Sequence, residues 1–318
     1  MIVMKKTVVF LIHSYSRLFV FTLFLECIAM LFEQHFFLGC AVFSYPKWKG
    51  ILFESYLPKE NYLQCYAKSF HSVEGNSCFY GIPTRETLQR WKEQIPNSFH
   101  FVPKIPRDFS HQGMIFSHWN PIHEFVILMR TELSDNLGCF LLQLPPSYSP
   151  EYGHDLSRFL NQWRRNIETP VCVELRHPDW FVSPNQERIN IMLTKMNISR
   201  VILDTRPIFQ SEDDPQNTCK NKKPNLPVFF DTTSQICVVR YIAHPNLENN
   251  EPYLDEWSRI VIQWLRENKK VYFFVHCPDE TYSPNVALAF YKKCKALEPY
   301  IRSFPFEKNR LEEQIPLF

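Results

Sequence analysis

Glycine is scarce in this 318-residue chain: there are 7, and none follows Gly153. A loop that cradles phosphate needs glycine, both for positive φ angles and for close backbone approach. Neither G-x-G-x-x-G nor G-x-x-x-x-G-K-[ST] occurs. That excludes a dinucleotide-binding or P-loop enzyme of the usual kind. C-x-x-C pairs are also absent, although there are 10 cysteines. Cys40, Cys139, Cys172 and Cys237 sit in or beside apolar, strand-like runs. They read as buried free thiols of a reducing compartment rather than disulfides or zinc ligands. Charge of one sign is missing too: 35 lysines and arginines face 33 aspartates and glutamates, for a net +2. A broad nucleic-acid surface would show a basic excess. Neither H-E-x-x-H nor the G-x-S-x-G elbow occurs, so no local motif marks a zinc protease or a serine hydrolase.

A clean apolar run of membrane-spanning length is the last absence. Lys5 and Lys6 precede an apolar stretch, but Arg17 and Glu26 interrupt it. Each would cost about 2.5–3.5 kcal/mol at a bilayer centre. Residues 1–34 are therefore expected to lie outside the fold, with Met30 as a natural start. The alternative is a membrane anchor through residues 7–32. A cytoplasmic protein without stable membrane association is the expectation, and oligomeric state is not legible.

What is present is alternation. With 45% hydrophobic and 21% charged residues, the chain can build a sizeable core. From His35 onward eight β-rich runs occur, at 35–42, 70–74, 98–104, 138–144, 170–175, 199–204, 236–241 and 271–276. Most are continuously apolar, as parallel strands buried on both faces are. Helical patterns separate them, at 84–95, 114–133, 153–166, 185–196, 254–268 and 285–297. In the fifth of these Leu254, Trp257, Ile260, Val261, Trp264 and Leu265 form one apolar stripe. Thr84 and the Ser183-Pro184 pair read as helix starts. Eight strand–helix repeats predict a single (β/α)8 barrel of the TIM type over residues 35–318. An open doubly wound sheet is the alternative. The connection after the sixth strand, 205–235, has no helical period and is rich in proline and lysine. It reads as a long irregular loop whose lysines (Lys220, Lys222, Lys223) form a solvated face.

In such barrels the chemistry sits where the strands end. Those ends carry Glu74 with Asn76, then Lys104, Gln143, Glu174 with Arg176, Asp204, Arg240 and His276. Charges inside a barrel mouth are costly unless paired or functional. Glu174 and Arg176, two apart on a strand, share a face. Glu74, Glu174, Asp204 and His276 are the candidate catalytic groups. Asn76, Lys104, Gln143, Arg176, His177 and Arg240 are candidates for binding a small polar or anionic ligand, with walls from Tyr45, Tyr80 and Trp180. No cofactor is predicted. The minority reading is magnesium or manganese on the oxygen-rich set of Glu74, Glu174, Asp204 and His276. For Lys104 and Arg240 the bland reading is a pairing with Glu74 or Asp204.

The strand-end segments also carry a resemblance. Gly39–Trp48 (GCAVFSYPKW), Val73–Tyr80 (VEGNSCFY), Gln143–Pro146 (QLPP), Glu174–Trp180 (ELRHPDW), Val201–Pro207 (VILDTRP), Lys222–Pro227 (KKPNLP) and Phe274–Asp279 (FVHCPD) resemble the YecE-like family, the domain of unknown function numbered 72. The VEGN, LDTRP and FVHCPD segments look most like its bacterial YecE branch. The resemblance runs from about Phe36 to the C-terminus and implies a TIM-barrel fold without an assigned reaction. Phe43 stands where the family usually has tryptophan. Ala243 stands where the family commonly has glycine, which puts close backbone approach of a ligand there in doubt. Two functions follow as expectations. One is an enzyme of hydrolase, lyase or isomerase type, with Glu74 or Glu174 as acid or base at a burial-tuned pKa and His276 shuttling a proton. The other is a non-catalytic binding protein whose aromatic and basic residues stack and contact nucleic acid or nucleotides.

Overall fold

A computed structural model describes residues 32, 34–213, 220 and 223–306. The expected N-terminal extension, apart from Phe32 and Gln34, lies outside the described residues, as do Lys222 of the lysine cluster and Cys27 and Cys219. Nine strand segments form among the described residues: β1 Phe36–Cys40, β2 Ser72–Gly75, β3 His100–Pro103, β4 Phe140–Gln143, β5 Val171–Glu174, β6 Ser199–Arg200, β7 Ile202–Asp204, β8 Ile236–Ile242 and β9 Lys270–His276. All pairings between them are parallel. One ladder runs β3-β2-β1-β9-β8-β7 and a second β4-β5-β6. Between β3 and β4 the pairing shrinks to isolated bridges, held by Gly138 N to Phe101 O at 2.8 Å and Ile105 N to Leu141 O at 2.9 Å. Strand neighbours thus follow chain order, and β9 lies beside β1. This is the TIM-barrel-like arrangement the alternation predicts.

The single sixth strand expected at 199–204 is broken. β6 pairs with β5 and β7 with β8, and Val201 between them donates its N–H to Val173 O at 2.8 Å. The segment passes from one neighbour to the other, so neither ladder runs its full length.

The longer helices fill the predicted gaps: α1 Tyr62–Ala67, α2 Arg85–Glu93, α3 Trp119–Leu133, α4 Gly153–Asn166, α5 Asn185–Met196, α6 Glu251–Arg266 and α7 Ser283–Leu297. Thr84 caps α2 by accepting from Thr87 N, which satisfies one of the four free N–H groups of a helix start. On α6, Leu254, Trp257, Val261, Trp264 and Leu265 are buried while Arg259 stays exposed. Among the described residues no helix is long and apolar enough to cross a membrane. Cys40, Cys78, Cys139, Cys172, Cys237 and Cys294 are buried free thiols.

Alternation along the strands sorts two cores. Residues such as Phe36, Leu38, Val73, Phe101, Phe140, Leu142, Val173, Val239, Phe273 and Val275 pack outward, in one cluster with the helices. The opposite phase supplies an inner cluster of Phe37, Val102, Cys139, Leu141, Cys172, Val201, Val238, Tyr272 and Phe274. Gly39 lies on this inner phase because nothing larger fits: a Cβ there would sit 2.1 Å from Ser72 O. At the edge of this inner cluster, Phe37 stacks on His100, whose Nδ1 is 2.8 Å from Tyr272 Oη.

Candidate functional site

The inner phase continues past the apolar layer into charge. One step beyond it along each strand come Glu74 (β2), Gln143 (β4), Glu174 (β5), Arg240 (β8) and His276 (β9), with Lys104 just after β3; all six are buried. Six of the seven strand ends singled out from sequence therefore converge.

Arg240 is the hub. Its Nε and Nη2 donate to Glu74 at 2.7 and 2.8 Å, and its Nη1 donates to Glu174 Oε2 at 2.6 Å. Arg176 Nε donates to the other oxygen of Glu174 at 2.6 Å, as the shared strand face predicts. His276 Nε2 lies 2.8 Å from Glu74 Oε2. Since that carboxylate only accepts when ionised, Nε2 carries the ring hydrogen. Burial pushes the Glu74 carboxyl up, but Arg240, His276 and Lys104 outweigh it and hold it well below the usual range. Burial likewise raises Glu174, and Arg176, Arg240 and Lys104 bring it down to about 2. Both shifts run away from the near-neutral range expected of an acid–base carboxylate at these positions. Both carboxylates are fixed anions that hold an arginine.

The groups that titrate near neutrality are others. Lys104 loses its proton easily: burial first, then Arg240, bring it down to about 7 against the pull of Glu74 and Glu174. Its Nζ donates one long bond, 3.5 Å, to Asn76 Oδ1 and lies 4.1 Å from the centre of the Phe79 ring. Glu280, just past β9, is pushed up to about 7 by burial, although the Ser283 hydroxyl and the Cys277 backbone bond to it. Its Oε1 is 3.9 Å from His276 Nδ1. Burial, then Glu74's pull and Arg240's repulsion, leave His276 at about 4. Lys223 also faces this charge: burial, Arg240 and Arg176 lower its pKa. Lys223, one of the lysines expected on a solvated face, is half-buried and lies toward the mouth. Glu280 and Lys223 were not among the predicted site residues, nor was His111, held at about 4 by burial, Lys104 and Arg176. Glu280 had one signal, its place four residues after His276.

Four predicted residues lie elsewhere. Asp204 is on the outward phase, two after Ile202 of the outer cluster. It accepts from Trp257 Nε1 on α6 at 2.7 Å and from Arg206 Nη2 at 2.7 Å. It brackets the helix layer rather than joining the mouth. Trp180 is core, its Nε1 donating to Tyr148 O at 2.7 Å, and Tyr80 is 81% exposed. His177 accepts from Asp179 N at 3.2 Å and caps a turn. Tyr45 donates to Asp279 Oδ1 at 2.8 Å, and Asn76 Nδ2 to Ala41 O at 2.9 Å. Among the described residues no group of three or more His, Cys, Asp and Glu side chains is arranged to hold a metal ion. Between Glu74 and Glu174 the cation is Arg240.

The fold and site define an α/β protein of TIM-barrel-like build with an ion-paired, cation-rich cluster where its parallel strands end. The family profile described as "Protein of unknown function DUF72" matches residues 37–307, and the chain belongs to that family. It is 29% identical over 272 residues to the "UPF0759 protein YecE" of Escherichia coli (strain K12), covering 85% of this chain and 96% of that one. Among solved structures, a DUF72 family protein from Enterococcus faecalis superposes with a TM-score of 0.61 at 18% identity, over 81% of this chain and 95% of that one. A DUF72 family protein from Thermotoga maritima gives 0.60 at 19% identity, over 80% and 97%. At such identities the likeness shows the fold.

Proposed function

We propose that this protein is an enzyme that binds a small anionic substrate at the strand-end mouth and exchanges protons with it. One observation carries this reading: cations outnumber the carboxylates able to neutralise them. Arg240, Arg176, Lys104 and Lys223 face two fixed anions, Glu74 and Glu174, and a third carboxyl, Glu280, that like Lys104 titrates near 7, so the cations stay in excess. Arg240 makes three of the four hydrogen bonds between those carboxylates and the two arginines. Among the described residues neither Lys104 nor Lys223 has a carboxylate within ion-pair distance, and the Nη atoms of Arg176 have no hydrogen bond. A surplus of positive charge, buried at Arg240 and Lys104 and partly shielded at Arg176 and Lys223, is costly until an anion balances it. Lys104 and Glu280, both near 7, are the groups able to take up and release protons at neutral pH. Isothermal titration with sulfate at low ionic strength tests the anion site. Binding is expected, with Arg176→Gln weakening it about tenfold, the worth of one charge-assisted hydrogen bond. Equal sulfate affinity in wild type and Arg176→Gln, or none in either, would remove the proposal.

A further inference from the structure

We infer that Lys104 is a nucleophile, forming an imine with the carbonyl carbon of a small compound that also bears a carboxylate or phosphate. The inference rests on the anion-binding reading above and adds a covalent step to it. Three features of Lys104 point this way. It is 5% exposed, so its amine is largely withdrawn from water. Both fixed carboxylates of the mouth are already bonded to guanidinium groups, which leaves the amine no ion-pair partner among the described residues. Its contacts, the long bond to Asn76 Oδ1 and the ring of Phe79, hold the side chain without occupying the nitrogen lone pair of its neutral form. A lysine desolvated beside other cations is the usual setting of an amine nucleophile. The midpoint near 7 is consistent with this, since about half the amines are then neutral at pH 7.

The second group on the substrate follows from the neighbours. Arg176 shares a strand-end face with Glu174, uses only its Nε there, and presents two further nitrogens. A planar fork of this kind fits a carboxylate or phosphate. A keto acid or an aldehyde acid offers both parts. The step balances as follows. The neutral amine gives its lone pair to the carbonyl carbon, and the π pair of C=O moves to oxygen. The resulting carbinolamine loses its hydroxyl, protonated to water, as the C=N bond forms. Counted from the ammonium form, two of its three N–H hydrogens leave on water and the positive charge stays on nitrogen. No oxidant, reductant or co-reactant is required, and the charge of the mouth is unchanged.

The test is reductive trapping. The full chain is incubated with pyruvate and cyanoborohydride at pH 7, and the adduct is mapped by peptide mass spectrometry. The expected result is one adduct on Lys104 before any exposed lysine reacts. Pyruvate should label it about tenfold faster than acetone, from one charge-assisted contact to the carboxylate, and excess sulfate should slow the labelling. Lys104→Met should lose the adduct while keeping the melting temperature of a folded protein. If sulfate binds but pyruvate labels exposed lysines and leaves Lys104 blank, the nucleophile is overturned while the anion site stands. If acetone labels Lys104 as fast as pyruvate and sulfate gives no protection, the nucleophile stands and the anion reading falls.

Discussion

Raising the pH through neutrality should strip the mouth of its affinity for anions. Lys104 is depressed to about 7 and Glu280 raised to about 7. Below that pH the lysine is charged and the glutamic acid neutral; above it the lysine is neutral and the glutamate charged. Both changes run against an anion, and they fall in the same window. If the ligand requires the protonated form of one group, binding weakens about tenfold between pH 6 and pH 8, and about a hundredfold if it requires both, on the order of 2.7 kcal/mol. Sulfate is the probe of choice because its own charge does not change there. Isothermal titration in half-unit steps should give the hundredfold fall for the wild type. Glu280→Gln should keep the affinity at pH 6, leave a tenfold fall, and bind about tenfold tighter than wild type at pH 8. Arg176→Gln should weaken binding at every pH without changing the slope. A flat wild-type profile, or affinity rising with pH, would refute the assignment of these two groups to the mouth.

Arg240→Met leaves Glu74 and Glu174 buried without their shared cation, and should cost about 3–5 kcal/mol in urea unfolding; a loss under 1 kcal/mol would show the pairs to be solvated. Asp204→Asn should lower stability by about 1–3 kcal/mol through weaker bonds to Arg206 and Trp257, yet leave sulfate binding within twofold. A large loss of binding would return Asp204 to the site. Acid should destabilise the fold through Glu174, whose folded pKa of about 2 lies below its unfolded value. Its stabilising contribution is complete above the unfolded pKa and is lost as pH falls through the folded one. Melting temperatures should therefore drop from pH 5 to pH 2.5, and by less in Glu174→Gln.

The strand ends were readable because parallel strands bury both faces and leave one unbroken apolar run each. Period two also explains which ends belong together. Glu74, Gln143, Glu174, Arg240 and His276 share the inner phase, whereas Asp204 follows Ile202 on the outer one. The position of a run's last polar residue was visible in sequence, but not its phase, because the sixth run breaks at Val201. Partner choice was not legible either. Nothing local tells Arg240 to select Glu74 and Glu174, residues 166 and 66 positions away. Glu280 and Lys223 look like ordinary turn and loop charges, and only their packing beside the mouth partly shields them from water.

The Arg240 hub has a consequence on the timescale of descent. Losing Arg240 strands two buried carboxylates, and losing either carboxylate removes one of its two partners, so each single substitution runs downhill before a second can restore balance. Drift at these positions should then be slowed one step at a time. The three should pass between generations as a linked set, either kept together or replaced together by an apolar trio.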